Sequence, residues 1–138
     1  MFKTIMTPVD LRHLDDLEHA LQVSADLAKH YGAQVHYVGV TSPSPSSLGH
    51  TPEEYGQKLK AFADEQGSKH GINATADAVV SHDPATDVDD ALMKAIGDTG
   101  ADLVVMQSHM PNLMDYVWPS NGGKIAEHAK CSVMVVRG

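Results

Sequence analysis

The fold class that the sequence predicts is α/β, a doubly wound and mostly parallel sheet of five strands covered by four helices. Short apolar runs alternate with amphipathic helical patterns along the whole chain. Such alternation requires right-handed crossovers and leaves helices on both faces of the sheet. A chain of 138 residues, 42% of them hydrophobic, also suffices for one continuous core. Residues 1–138 are therefore read as a single domain.

The first apolar run, FKTIMTPV at residues 2–9, stops at Asp10 as a buried strand does. Leu17, Ala20, Leu21, Ser24, Leu27, Ala28 and Tyr31 then recur at helical spacing up to Gly32, a C-terminal stop. QVHYVGVT, residues 34–41, is the second strand, and the Ser/Pro-rich stretch after it is too short for a disordered region. Thr51, Pro52 and Glu54 form a capping box with proline at the first helical position, ahead of Tyr55, Leu59, Phe62 and Ala63 on one face. Gly71 closes that helix. INATADAVVS, residues 72–81, alternates loosely as the third strand. Asp83 and Pro84 open a helix carrying Val88, Ala91, Leu92, Ala95 and Ile96, with Gly97 and Gly100 at its end. DLVVM, residues 102–106, is a fully apolar strand core, and a helix around Ile125, Ala126 and Ala129 leads into SVMVVR at 132–137.

A formal charge of -8 repels a polyanionic backbone, and the ten Lys and Arg residues are scattered, so nucleic acid is not an expected partner. The solitary Cys131 cannot make an internal disulfide, and residues 1–10 lack the apolar run of a signal peptide. No apolar run approaches the roughly 18 residues of a membrane span. The expectation is a cytoplasmic protein without membrane insertion. The nine histidines show no i,i+4 pairing in His13/His19, His30/His36 or His70/His82, which favours solvated surface histidines over a metal site.

Ligands in such folds sit beyond the carboxyl ends of the strands, where the winding direction reverses. Those ends are residues 8–10, 40–42 and 106–109. Asp10 directly follows a buried strand, where its carboxylate serves either as an acceptor for a ribose or base or as a helix cap. The stretch MQSHMPNLMDYVWPSNGGK joins the fourth strand to the last helix. Within it Ser120 and Asn121 stand at a helix N-terminus, either as donors to a phosphate or as a plain cap. Neither GxxxxGK[ST] nor GxGxxG is present. Ser108 and His109 are adjacent and lack a GxSxG elbow, so they are not read as a nucleophile and base. His109 orients the loop or contacts a ligand.

The opening TIMTPVD, the VGV strand end and the tail from Ala101 onward resemble the universal stress protein family across essentially the whole chain. Ser108-His109, Pro111, Tyr116, Ser120-Asn121, His128-Ala129 and Cys131-Ser132-Val133 are similar to its short bacterial branch. The resemblance implies strand order 3-2-1-4-5 of the adenine-nucleotide alpha-hydrolase-like type. It also implies a homodimer through the last strand, residues 133–137, and binding of ATP or another adenine nucleotide, with or without Mg²⁺, by a protein that is not an enzyme. Carried over, Pro8, Val9 and Asp10 hold the adenine and ribose, and Val40 meets the base through its backbone. Met106, Gln107 and His109 line the ribose and phosphate path, while Ser120 and Asn121 cap the phosphates. Three positions depart from the family pattern: Gln107 and Pro119 replace small residues, and Met110 replaces Gly or Arg. The expected function is a stress-response regulatory module that binds an adenine nucleotide. The alternative is a nucleotide-free stress protein acting through an unidentified protein partner, its crevice closed by Gln107 and Met110.

Overall fold

The computed structural model describes residues 1–42, 51–81, 84–107 and 121–137, with side chains throughout these except at 84–89 and 121–124. Five parallel strands, β1 (Thr4–Pro8), β2 (Gln34–Thr41), β3 (Asn73–Val80), β4 (Leu103–Gln107) and β5 (Ser132–Val136), lie in the order β3-β2-β1-β4-β5. Helices α1 (Glu18–Tyr31), α2 (Pro52–His70), α3 (Pro84–Thr99) and α4 (Asn121–His128) alternate with them, and a 3-10 turn at Leu14–Leu17 precedes α1. This is the doubly wound sheet expected from the alternation of runs.

Successive side chains of a strand point to opposite faces, and both faces of the central strands are covered. Ile5, Val35, Tyr37, Leu103 and Val105 pack with Leu17 and Leu21 of the α1 side and with Leu59 and Phe62 of α2. Met6, Val38, Val104 and Met106 pack on the other face with Leu92 and Ile96 of α3 and Ile125 of α4. Each large side chain so buried is worth about 1.5–3 kcal/mol. Burial on two faces is also why these strands read as unbroken apolar runs.

The helix boundaries follow local chemistry. Thr51 Oγ1 accepts the Glu54 N–H at 3.2 Å with Pro52 in the first turn, the predicted cap. Gly71, at φ 66°, ends α2 in a left-handed conformation, and Ile72 N–H donates to Gly67 O at 3.1 Å behind it. Gly97, expected near the end of the third helix, lies inside α3, and the stop is Gly100 at φ 69°. β4 begins at Leu103, one residue later than expected, with Asp102 just ahead of it. Its carboxylate accepts the N–H groups of Lys3 at 2.9 Å and Thr4 at 3.1 Å, which anchors the start of β1.

With β1 between β2 and β4, the chain winds outward on one side through β2 and β3, then crosses to the other through β4 and β5. The reversal places a crevice beyond the carboxyl ends of β1 and β4. No helix among the described residues is long and apolar enough to cross a membrane.

Candidate functional site

The end of β1 delivers Asp10 to this crevice. Val9 is fully buried and extends the ladder, its N–H donating to Val38 O at 2.8 Å. Asp10 is itself buried, only 5% exposed. Its Oδ1 accepts the backbone N–H of Arg12 at 3.0 Å and Nε–H at 3.2 Å, while Oδ2 accepts from Nη2 at 3.2 Å. An Asx-type turn and a two-pronged ion pair thus share one carboxylate. The cap position of α1 is held by Leu17, with no side-chain cap bond. His13 holds the cap position of the 3-10 turn, so the Asp10 side chain caps neither that turn nor α1.

Tyr55 joins it from α2. The crossover from β2 sets the first turn of this helix over the strand end, and the buried Tyr55 hydroxyl lies against Gly39. A Cβ at Gly39 would overlap the Tyr55 oxygen, so only glycine admits this approach. Burial, and after it the Asp10 carboxylate, push the Tyr55 phenol far up, with Arg12 pulling in the opposite direction. The hydroxyl stays protonated, a donor standing in the field of Asp10. The helical pattern marked Tyr55 only as a core-face residue. The signal that could have found it is Gly39, a gap in the otherwise bulky strand QVHYVGVT. Val40, half-buried, packs its side chain toward the α3 and α4 core.

β4 closes the floor. Met106 is fully buried in the α3 and α4 core. Gln107, expected on the phosphate path, is buried with its Oε1 accepting the Ala20 N–H of α1 at 3.1 Å. This satisfies an N-terminal helix donor from a distant strand. One turn further, Ser24 Oγ donates to Ala20 O at 2.8 Å and lies 2.7 Å from Thr7 Oγ1. A buried polar chain therefore ties β4, α1 and β1 together beneath the crevice.

The structure thus gathers Pro8, Val9, Asp10, Val40, Met106 and Gln107 at one end of the sheet. His109, Met110, Pro119 and Ser120 lie outside the described residues, and Asn121 is described only as the first residue of α4. Among the described residues no three His, Cys, Asp or Glu side chains gather as a metal site.

A family model described as "Universal stress protein family" matches residues 1–137. Universal stress protein G of Escherichia coli O157:H7 is 27% identical over an alignment of 148 positions that covers 99% of this chain and 100% of the relative. The crystal structure of a universal stress protein in complex with cAMP has a TM-score of 0.71 at 16% identity, covering 98% of this chain and 97% of that one. The universal stress protein from Archaeoglobus fulgidus in complex with dAMP has a TM-score of 0.68 at 17% identity, covering 96% of each. At such identities the structural likeness shows the fold.

Proposed function

Because the chain belongs to the universal stress protein family, we propose that it is a stress-response regulatory protein that binds an adenine nucleotide at the carboxyl end of the sheet. Asp10 carries this reading: it is a buried carboxylate at the point where a doubly wound sheet reverses. The ribose hydroxyls donate to Asp10, with the Tyr55 hydroxyl beside it, and the ends of β1 and β2 flank the base. The phosphates run toward Ser120 and Asn121 at the start of α4, and Mg²⁺, where present, arrives with them. The solved relatives bound to cAMP and dAMP support the ligand class. We assign no catalytic residue, since binding and release suffice for a regulatory role.

The active form is a homodimer through β5. This strand ends the sheet with Met134 and Val135 exposed at 40% and 38%, and unpaired apolar edges invite strand partners. Native mass spectrometry of freshly purified cytoplasmic protein tests both features. The expected species is two chains carrying an adenine nucleotide. A monomer, with no binding of AMP, ADP or ATP in calorimetry, would overturn the reading.

One observation favours a second reading. Both Asp10 oxygens and the Gln107 oxygen already have partners within the chain. A crevice satisfied in this way suits a nucleotide-free protein that acts through a protein partner. A dimer that purifies bare and rejects all three nucleotides would select it.

A further inference from the structure

On the face of the sheet that packs α1 and α2, the two helices stand over different strands. α1 lies over β1 and β4, and α2 over β2 and β3. Between them remains a half-open cavity of about 340 Å³, lined by none of the crevice residues described above. That volume is at the lower end of the range for small-molecule sites, about 300–1,000 Å³.

Its lining is chemically one-sided. Leu21 and Phe62 are mostly buried and give it apolar walls. Asp15, Glu18 and Glu65 are exposed around it, against one ammonium, that of Lys69, among the described lining residues. His70, at the far end, is held below its ordinary value by partial burial and by Lys69 and Lys29, with Asp26 pulling the other way.

Gln66 lines the same cavity. It is 7% exposed, and its Oε1 has no hydrogen-bond partner among the described residues. Tyr37, on β2 and edge-on to Phe62 at 5.2 Å, has a buried hydroxyl in the same condition. Buried polar groups in native proteins are nearly always paired, and an unpaired one destabilises the fold. Gln66 Oε1 is itself sealed from solvent, and the terminal torsion of a glutamine is soft and roughly two-fold, so a turn of the amide about that torsion presents the oxygen to a donor seated in the cavity.

We propose that the groove between α1 and α2 binds a small organic cation, an alkylguanidinium or alkylammonium. Its charge lies among Asp15, Glu18 and Glu65, its N–H donates to Gln66 Oε1, and its stem lies along Leu21 and Phe62. The carboxylates select the charge, the lone acceptor demands a donor, and the walls accept methylenes. This site does not depend on the nucleotide reading.

The test is titration of the ¹⁵N-labelled full chain with agmatine, followed by amide shifts, in the presence and absence of AMP. Saturable shifts at Leu21, Gln22, Phe62 and Gln66 are expected, unchanged by AMP, with n-butanol producing none. Glu18→Gln combined with Glu65→Gln should weaken binding at least tenfold. Gln66→Leu should weaken it about fivefold while raising the Tm, because the unpaired oxygen is gone. Shifts that fail to saturate, that spread equally to Asp90 and Asp98 on α3, or that persist unchanged in both variants would overturn the proposal.

Discussion

Two aspartates stand at opposite ends of the central strands and are satisfied in different ways. Asp102, ahead of β4, takes the backbone N–H groups of Lys3 and Thr4, and its own N–H donates to Thr4 O at 2.9 Å. Asp10, just past β1, takes one backbone N–H and two donors from the Arg12 side chain. The partners of Asp102 cannot leave without loosening β1 from β4. Most of the partners of Asp10 can leave by rotating a side chain. A carboxylate held by the backbone is spent on the fold, whereas one held by a mobile cation can be passed to a ligand.

If this contrast is right, the two positions separate stability from binding. Asp102→Ala should lower the unfolding free energy by about 2 kcal/mol in urea titrations, the range for hydrogen bonds to a charged acceptor. Nucleotide affinity should stay within twofold of the parent. A stable Asp102→Ala protein would show that the backbone tie is dispensable. Asp10→Ala should do the reverse, losing at least about tenfold in nucleotide affinity by calorimetry, or roughly 1.4 kcal/mol. Equal affinity in parent and variant would move the site away from Asp10.

The fold was readable because a parallel sheet buried on both faces writes apolar runs into the sequence, and the T-P-E-E start of α2 writes its own cap. The site was only half readable. Asp10 stood out by following a buried strand, and the D-x-R spacing lay in view, yet the ion pair needs the turn that brings residue 12 back over residue 10. Gln107 was placed just past a strand that in fact includes it. Its partner Ala20 lies 87 residues earlier, so no local pattern could signal the bond. Tyr55 reached the crevice through the β2 to α2 crossover, which periodicity alone does not orient. Of the residues expected to hold the phosphates, Ser120 falls outside the described residues and Asn121 is described only as the first residue of α4.

Between the two aspartates and the smallest effect lies the phosphate side. With Gln107 turned to α1, and with Met110 and Pro119 in place of open or charged positions, AMP, ADP and ATP should bind within a few-fold of one another. Competition binding reads this directly. Strong preference for ATP would show that Ser120 and Asn121 suffice as a cradle, and glycine at 107, 110 and 119 should then add little.

The smallest effect belongs to Arg12 and addresses the contrast most directly. For a ribose to donate to Asp10, the carboxylate must release or share the Arg12 guanidinium, so the pair opposes binding. Arg12 is 41% exposed although Asp10 is only 5% exposed, so solvent and side-chain entropy weaken the cation's end of the pair toward the roughly 0–1 kcal/mol of surface ion pairs. Arg12→Ala should therefore raise the affinity for adenosine about threefold, or ~0.6 kcal/mol. Adenosine is the proper probe because it carries no phosphate for Arg12 to attract. The backbone N–H of residue 12 remains in the variant, so the turn that presents Asp10 is retained while the competing cation is removed. Weaker adenosine binding in Arg12→Ala would make the guanidinium a ligand contact. Unchanged binding would mean that Asp10 keeps its partner in the complex, and the distinction from Asp102 would then vanish.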